Sequence, residues 1–275
     1  MRAVVLTAAL AALLGCDNTI QPLVEGSEEG FTLYGYLDTR ADTQYVRLDP
    51  VQTSVLAGRR TLEDVLVVST ADDGDPVVWT YRRMPLEDGS LGEFYYAVFT
   101  PEAGRRYRLR AETGGGAVTE AVVTIPEPPV VNPRPARGDT AHLVQSVEIL
   151  GVQQNPHRLV VVYEVRPPGE EVPVKVSVDY GQGNNRVTGG WAFDVFLVRD
   201  KATVLVSLNR NPQDRNVALV SIGVHARLLS PEWEQPDEAA NITTGRGFFG
   251  ALAEYDLRWD LPTSVVETMG FVDGQ

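Results

Sequence analysis

The residue best suited to covalent chemistry is Cys16, the single cysteine of the 275-residue chain. It directly follows Leu13, Leu14 and Gly15, which end an apolar run. A thiol here can carry a thioether-linked diacylglycerol, and a compact residue before it suits cleavage of the preceding peptide bond. Several acyl chains on one residue anchor a protein stably, because each buried CH₂ contributes about 0.8 kcal/mol. A single cysteine allows no intramolecular disulfide.

The first fifteen residues have the composition of an export signal. Arg2 supplies one positive charge, and residues 3–14 form an almost unbroken apolar run, well short of the roughly 20 residues that a spanning helix needs. The tetrapeptide ending in the cysteine resembles the bacterial lipobox. We therefore predict a lipoprotein signal peptide at 1–15 and an acylated cysteine with a flexible tether at 16–30. The alternative is an ordinary secretory signal followed by a chance cysteine.

The chain is acidic. Its 24 Lys+Arg and 37 Asp+Glu give a formal net charge of −13. Removal of residues 1–15 takes away only Arg2, which leaves 23 basic side chains and a net charge of −14. This balance argues against nucleic acid, whose affinity depends on phosphate neutralisation, and against a basic patch on anionic lipid. A hydrophobic content of 43% suffices for buried cores, and the length suggests two domains.

Residues 31–126 predict an immunoglobulin-like β-sandwich. The segment contains seven short stretches of alternating polarity, rich in aromatic and β-branched residues and separated by turn residues. It carries no capped helical pattern of useful length, and the Cys…Trp…Cys pattern of antibody domains is missing. The seven predicted strands lie at 31–38, 43–48, 62–69, 77–82, 93–99, 105–112 and 117–125.

The stretch that follows predicts a domain boundary. Residues 126–138 contain five prolines, which disfavours a central strand and favours an extended, semi-rigid linker at 127–140. Residues 141–275 predict a second, larger and less regular β-domain, so the predicted fold class is all-β. Its predicted strands lie at 141–152, 159–166, 172–180, 191–199, 203–209, 216–229 and 247–259, with a further short one near 272.

Residues 245–250 match the G-x-G-x-x-G pattern of dinucleotide sites letter for letter. A dinucleotide site needs a preceding strand and a following helix. Residues 231–236, however, begin and end with proline and do not fit that strand. We therefore predict a Gly-rich turn that lets the backbone cross closely beneath another strand, and no cofactor.

No catalytic, cofactor-binding or metal-binding residues are predicted. The histidines at 142, 157 and 225 lack metal-ligand spacing, and His225 is expected to be a hydrogen-bonded structural residue on a strand. The acidic residues at 72, 73 and 75 lack the continuation of a calcium loop and predict a solvated hairpin tip. Motifs of serine hydrolases, zinc proteases and phosphate loops are absent. A hydrolase that uses unrecognised carboxylates stays open as an alternative.

Aromatic side chains are the remaining candidates for binding. Alternation along the strands must bury about half of them, and the others would line an exposed face. A stacking platform of this kind is a hypothesis. Its candidate residues are Tyr34, Tyr36, Tyr95, Tyr96, Trp191 and Trp233.

Several short motifs follow one another in a distinctive order. After the lipobox come FTLYGYL at 31–37, YVRL at 45–48, GRRYRL at 104–109, a Pro-rich exit after 125, and NI at 241–242 followed by G-x-G-x-F-G-A at 245–251. This order resembles an uncharacterised family of Bacteroidetes-type envelope lipoproteins, a domain of unknown function. Members are often encoded beside TonB-dependent outer-membrane receptors. The resemblance implies such a receptor as a partner and supplies no catalytic residues.

These features predict an envelope lipoprotein anchored at the outer membrane, with its periplasmic or surface face left open. Retention in the inner membrane stays an alternative, because an acidic residue, Asp17, follows the cysteine. The expected role is non-enzymatic: a binding or accessory module, with an outer-membrane receptor protein as partner and no nucleic acid. Confinement to a membrane raises the effective concentration of a binder near its receptor. The alternative is a structural or adhesive surface protein without a small-molecule ligand.

Overall fold

The computed structural model describes residues 30–50, 62, 64–183, 185–234 and 241–275. These residues form eighteen β-strands, two α-helices and one 3-10 helix, and the strands lie in three sheets. The predicted all-β fold class is therefore confirmed. The predicted signal peptide and lipobox, including Cys16, lie outside the described residues. Within the described part of the chain, no helix is long and apolar enough to cross a membrane.

The strands of the first half form two facing layers. One layer has the order β1-β2-β6-β5, and the other has the order β4-β3-β7-β8 with β16 beyond β8. The strands are β1 (Phe31–Asp38), β2 (Thr43–Pro50), β3 (Val65–Ala71), β4 (Val77–Val78), β5 (Thr80–Pro85), β6 (Leu91–Val98), β7 (Arg106–Thr113), β8 (Val118–Thr124) and β16 (Ile242–Thr243).

The fourth predicted strand, 77–82, is divided between the two layers. β4 pairs with β3, whereas β5 pairs with β6. Between them, Trp79 is buried in the core, and its indole Nε1 donates to Ser69 Oγ at 2.9 Å. Because the chain turns inward to bury this large side chain, the strand changes sheets at Trp79.

The second half also has two facing layers, in the orders β9-β10-β14-β13 and β12-β11-β15-β17, with β18 beside β15. β9 lies within the predicted Pro-rich linker and occupies a sheet edge, where the missing N–H groups of proline are tolerated. The strands are β9 (Val130–Pro133), β10 (Val144–Leu150), β11 (Arg158–Arg166), β12 (Val174–Gly181), β13 (Asn185–Val187), β14 (Gly190–Phe196), β15 (Ala218–Leu229), β17 (Gly245–Trp259) and β18 (Val272–Asp273).

The helix α1 (Leu197–Ser207) replaces the strand predicted at 203–209 and the end of the one predicted at 191–199, whose earlier part is strand β14. Its buried residues recur at the spacing of a helix, i, i+3, i+4, i+7 and i+8, but two of them are charged. Because charged residues occupy core positions, the pattern of hydrophobic residues alone does not show the helical period. The buried residues of the helix are Leu197, Asp200, Lys201, Val204 and Leu205.

A second helix, α2 (Thr263–Met269), lies where the sequence predicts no helix. Pro262 immediately precedes it, where a fixed φ suits a helix start. Gly270 follows in the left-handed conformation with φ 85° and ends it. The short strand predicted near 272 is present as β18.

Strand β17 connects the two halves of the protein. Its first eight residues pair in parallel with β1, from Phe31 opposite Gly245 to Asp38 opposite Leu252. The remainder pairs antiparallel with β15, up to Ile222 opposite Trp259. Strands of both halves therefore form one continuous nine-stranded sheet.

Two hydrophobic cores flank the changeover in β17. Phe249, Ala251 and Ala253 of β17 pack into the core of the first half, although they lie in the last tenth of the sequence. Trp259, at the end of the same strand, packs into the core of the second half. The first half therefore completes its core only when the C-terminal strand is in place.

Candidate ligand-binding face

The outer face of the first half's larger sheet is built by strand alternation. Along β1, Phe31, Leu33 and Leu37 point inward and are almost completely buried. Tyr34 and Tyr36 therefore point outward, with 49% and 44% of their surface exposed. The facing sheet covers only the inner side, so the tyrosines remain open to solvent.

The register of the neighbouring strands aligns Tyr36 with tyrosines of β2 and β6, so that they form a row. Tyr36 lies opposite Tyr45 of β2, and Tyr45 lies opposite Tyr96 of β6. The rings of Tyr45 and Tyr96 are 6.0 Å apart between centroids at an interplanar angle of 33°. Three tyrosines on three adjacent strands therefore share one line across the sheet.

Trp233 extends this line beyond β1. It ends the 3-10 helix Pro231–Trp233, and its ring centroid is 5.5 Å from that of Tyr36. The indole Nε1 donates to the carbonyl oxygen of Ala251 at 3.0 Å, which fixes the ring over β17. We call Trp233, Tyr36, Tyr45 and Tyr96 the tyrosine row.

A second row runs parallel to the first, two residues further along the strands. Tyr34 lies opposite Arg47 of β2, Arg47 opposite Phe94 of β6, and Phe94 opposite Arg82 of β5. On the other side of Tyr34 lies Phe248 of β17. We call Phe248, Tyr34, Arg47, Phe94 and Arg82 the mixed row, and the two rows together the aromatic face.

Two glycines leave room for rings of the aromatic face close to the sheet. A Cβ atom at Gly250 would come 2.5 Å from Phe248 Cζ and 2.6 Å from Trp233 Nε1. A Cβ atom at Gly92 would come 2.6 Å from Phe94 Cε2. Because glycine has no side chain, atoms of these rings occupy the space above the strand backbone, and Trp233 and Phe248 contact each other at an interplanar angle of 69°.

The two arginines of the mixed row differ in their partners. Arg47 pairs with Asp49 on the same face, with its Nη2 2.8 Å from Oδ2. The buried Nε of Arg47 has no hydrogen-bond partner. Arg82 is exposed and makes no hydrogen bond or ion pair with any described residue. Arg82 therefore offers guanidinium donors that no described residue satisfies.

The same sheet is ionic on its other half. Glu254 of β17 accepts from Arg227 and pairs with Arg40 and His225. Burial raises the pKa of Glu254, but the hydrogen bond and charge of Arg227 and the charges of His225 and Arg40 outweigh it, and the net shift is downward. His225 also contacts Asp256, with Nδ1 2.8 Å from Oδ1. The expectation of a hydrogen-bonded structural histidine is confirmed.

The six aromatic candidates from the sequence separate in the structure. Four of them, Tyr34, Tyr36, Tyr96 and Trp233, belong to the aromatic face. Tyr95 is a core residue whose hydroxyl donates to the Leu62 carbonyl. Trp191 lies opposite Ile149 and Arg186 in a different sheet, so it also lies apart from the face. Three ring residues of the face were missed: Tyr45, Phe94 and Phe248.

The glycine pattern at 245–250 lies within strand β17 and not in a turn, which corrects the prediction. Gly247 has a φ of 115°, and a Cβ atom there would come 2.0 Å from the carbonyl oxygen of Leu33. A Cβ atom at Gly245 would come 2.7 Å from the carbonyl oxygen of Phe31. The glycines thus permit close passage of β17 along β1, as expected, and the strand continues beyond them to Trp259.

The acidic residues 72, 73 and 75 follow β3 in a turn, where Asp73 has a φ of 59°. Within the described ranges, no group of three His, Cys, Asp or Glu residues could hold a metal ion. The acidic turn therefore lacks a neighbouring set of ligands in the described part of the chain.

A buried polar cluster holds helix α1 against the second core. The carboxylate of Asp200 accepts from the hydroxyls of Tyr163 at 2.9 Å and Tyr180 at 2.6 Å. Burial raises the pKa of Asp200, while these hydrogen bonds and the nearby Arg199 lower it in part. Each polar atom of the cluster has a partner within the protein, so the cluster is a structural feature and not an open site.

A cleft of about 420 Å³ lies between the two halves, within the usual volume range of ligand pockets. Ile125, Val152 and Leu228 contribute apolar walls, and Asn155 contributes an amide. Both polar atoms of the Asn155 side chain are already bonded to the backbone of Gly183, at 3.0 Å each. The cleft therefore presents less unsatisfied chemistry than the aromatic face.

No protein-family model matches the chain, and no curated protein matches it. Among solved structures, it is similar to pullulanase from Anoxybacillus sp. LM18-11, free and complexed with maltotriose, at 12% identity and a TM-score of 0.23 over 72% of this chain and 24% of that chain. It is also similar to a chain of a cytokine receptor complex, at 11% identity and a TM-score of 0.24 over 85% and 98% of the two chains. The chain thus spans about a quarter of the pullulanase.

Proposed function

We propose that the protein is a lipid-anchored, non-catalytic binding module of the bacterial cell envelope, held at the outer membrane. The aromatic face is the observation that carries the proposed binding role. Support for the anchor comes from Leu13, Leu14, Gly15 and Cys16, because they join a short apolar run to the only thiol of the chain. The acyl chains hold the protein at the bilayer, and residues 16–30 set the distance of the folded part from it.

The composition of the aromatic face supports binding over simple exposure. Tyrosine, tryptophan and arginine dominate the energetic centres of binding surfaces, whereas lysine and acidic residues are depleted there. The two rows contain seven aromatic residues and two arginines, and neither lysine nor acid. Single exposed apolar residues are ordinary, but a contiguous set marks an interaction site.

The finer fold that we propose is a pair of immunoglobulin-like sandwiches. In the usual lettering, β1-β2-β6-β5 corresponds to strands A-B-E-D, and β4-β3-β7-β8 to C′-C-F-G. The second half repeats this order, as β9-β10-β14-β13 and β12-β11-β15-β17, with α1 in the E–F connection. Such sandwiches are commonly used as binding domains, which supports the proposed role.

The accessory role at an outer-membrane receptor rests on the family resemblance. A binder confined to the same membrane as its receptor meets it at a raised effective concentration, without any additional contact energy. The acidic charge of the chain is compatible with this role and argues against nucleic acid as the partner.

Two experiments test this proposal. Cys16→Ser removes the only acceptor of the lipid, so the variant is expected in the soluble fraction while the wild-type protein stays with membranes. A variant that remains membrane-bound contradicts the anchor. The second experiment passes gently solubilised native envelopes over the immobilised protein.

In the second experiment, the wild-type protein is compared with the double variant Tyr36→Ser/Tyr45→Ser. The matched control is Leu66→Ser, because Leu66 is 55% exposed on the opposite sheet. A component retained by the wild-type protein and the control but lost by the double variant supports the aromatic face as the binding surface. Equal retention by all three contradicts it. An outer-membrane receptor recovered in near-equal amount supports the accessory role.

The second candidate function is a structural or adhesive surface protein without a small ligand. The shared strand β17 favours this alternative, because backbone pairing of both halves with one strand makes a stiff spacer. If Tyr36→Ser/Tyr45→Ser keeps every binding property of the wild-type protein, the result supports the structural or adhesive role.

A further inference from the structure

The mixed row alternates aromatic and basic side chains across the sheet. Tyr34, Arg47, Phe94 and Arg82 follow one another on the adjacent strands β1, β2, β6 and β5 in direct register. Adjacent strands lie about 4.8 Å apart, so the two arginines are separated by about 9.6 Å along this row. The row therefore places an arginine on every second one of these four strands, and Arg47 is ion-paired with Asp49 on the same face.

The tyrosine row lies beside this alternation and carries no charge. It presents rings on successive strands at Tyr36, Tyr45 and Tyr96, with phenol hydroxyls that both donate and accept hydrogen bonds. Together the two rows form a strip across the sheet. The tyrosine row consists of rings, and in the mixed row rings alternate with guanidinium groups. A repeating surface of this kind fits a ligand that itself repeats.

We propose that the aromatic face binds a linear anionic polysaccharide, a pyranose chain that carries a carboxylate on alternate sugars and runs across the strands. This inference rests on the proposed binding role of the face and names its ligand class. The apolar C–H faces of the sugars stack on the tyrosine row, and the carboxylates turn toward Arg47 and Arg82. In an extended chain of this type the carboxylates recur once per disaccharide, close to the two-strand spacing.

The exposed rings fit this ligand. Gly250 and Gly92 leave room for Phe248, Trp233 and Phe94 close to the backbone, and the rings of Trp233 and Phe248 meet at an interplanar angle of 69°. A ring face stacks on the face of a pyranose. Guanidinium groups recognise carboxylates through paired N–H donors, and Arg82 makes no hydrogen bond or ion pair with any described residue.

The spacing argues against an extended acidic peptide. Side chains on one face of a β-strand recur every two residues, at about 6.7 Å, which does not match the separation of about 9.6 Å between the arginines. The overall charge of −13 repels polyanions from the rest of the surface, so binding depends on the arginines of the mixed row. A face-to-face second copy is disfavoured, because it would bring like-charged arginines together.

The test uses hyaluronan octasaccharide as the probe, because its carboxylates occur on alternate sugars. Chitohexaose is the neutral control with related sugars, and poly-L-glutamate is the control for an acidic peptide. Isothermal titration of the lipid-free Cys16→Ser protein at two salt concentrations gives the affinity for each probe. We expect hyaluronan to bind at least about tenfold more tightly than either control and to weaken with salt.

Two single variants assign the contacts. Arg82→Gln and Tyr45→Ala are each expected to lower the affinity for hyaluronan by about tenfold. Arg108→Gln, on the opposite sheet and 57% exposed at its side chain, is the matched control and should change nothing. Unchanged circular dichroism and melting temperature establish that each variant is folded.

The results that would overturn the polysaccharide ligand differ from those that would overturn the proposed binding function. Absence of hyaluronan binding, equal binding of chitohexaose, or tighter binding of poly-L-glutamate each overturns the assigned ligand class. If an envelope component is still retained by the wild-type protein and lost by Tyr36→Ser/Tyr45→Ser, the face remains a binding surface for another ligand. If the wild-type protein and Tyr36→Ser/Tyr45→Ser retain the envelope component equally, the proposed function is overturned as well.

Discussion

Leu229 at the end of β15 lies directly opposite Leu252 of β17, at the point where β17 passes from one half of the protein to the other. Before Leu252 the strand pairs with β1, and after it with β15. The two cores are thus joined by a continuous ladder of backbone hydrogen bonds. We expect the two halves to unfold in one cooperative transition, because neither keeps its sheet if β17 detaches.

Gly247→Ala tests the passage of β17 along β1. The residue has a φ of 115°, and an alanine Cβ would come 2.0 Å from the carbonyl oxygen of Leu33. Backbone strain and the clash with main-chain atoms together predict a loss of about 3 kcal/mol in the free energy of unfolding. Urea denaturation followed by tryptophan fluorescence measures this loss.

Gly114→Ala is the matched control for this substitution. Gly114 lies in the turn between β7 and β8, and a Cβ atom there would meet nothing within 4 Å. The control should leave stability unchanged or raise it by about 0.5 kcal/mol, through the lower entropy of the unfolded chain. Equal effects of the two substitutions would contradict the close passage of β17.

The sequence predicts most strands of this fold because alternation is a local signal. In β1, the buried Phe31, Leu33 and Leu37 alternate with outward tyrosines, and this pattern needs no knowledge of the partner strand. The parallel pairing of β1 with β17 was not predictable in this way, since the two strands lie more than 200 residues apart and no periodicity links them. The glycines at 245–250 indicate that another strand approaches closely, but they do not indicate that this strand is β1.

The aromatic face was predictable only in part for the same reason. Tyr34 and Tyr36 are recognisable as neighbours on one face from β1 alone. Their alignment with Tyr45 and Tyr96 depends on the register of three strands, which turn geometry and core packing determine. Phe248 joins the face only through the long-range pairing of β17.

Asp200→Asn is expected to raise the free energy of unfolding by about 1 kcal/mol at pH 7. The asparagine carbonyl accepts from Tyr163 and Tyr180 as the carboxylate does, and no buried charge remains. Because the folded-state pKa of Asp200 is raised by burial, its protonated form favours folding. This stability is present below the unfolded pKa of about 3.9 and is lost as pH rises through the folded pKa.

The advantage of Asp200→Asn should therefore shrink as pH falls toward 4. Chemical denaturation of both proteins between pH 4 and pH 8 measures the difference. Asp200→Ala is the contrasting variant, expected to lose about 2 kcal/mol because it leaves two tyrosine hydroxyls without their acceptor. An advantage that is constant with pH would show that ionisation of Asp200 does not contribute.

Lys201→Met tests a buried cation in the same helix. Lys201 is 6% exposed, makes no hydrogen bond or ion pair with any described residue, and lies 5.9 Å from the ring centroid of Phe271. Burial, and then the charge of Arg215, lower the pKa of Lys201. Methionine fills similar space without a charge, so the variant should be more stable at pH 7 by about 1 kcal/mol.

The pH dependence has the opposite sign to that of Asp200. A lowered folded-state pKa means that the unfolded chain binds more protons, so the wild-type protein gains stability as pH rises toward the unfolded pKa of about 10.4. The advantage of Lys201→Met should shrink over that alkaline range. A difference that grows with pH would contradict the burial cost of the ammonium group.

Gly250→Ala tests whether the positions of Trp233 and Phe248 depend on the absence of a side chain. The added Cβ would come 2.6 Å from Trp233 Nε1 and 2.5 Å from Phe248 Cζ. The indole must therefore lift away from β17 and weaken its hydrogen bond to the Ala251 carbonyl. We expect a loss of about 1–2 kcal/mol in the free energy of unfolding and greater quenching of tryptophan fluorescence by iodide.

Trp233→Phe, alone and combined with Gly250→Ala, assigns this change to one of the four tryptophans of the chain. The extra quenching should disappear in the combined variant, because the remaining three tryptophans lie away from Gly250. Affinity for the envelope component should fall in Gly250→Ala even though no exposed side chain has been removed. Unaltered quenching and affinity would mean that the rings keep their positions without the glycine, and that their arrangement does not depend on Gly250.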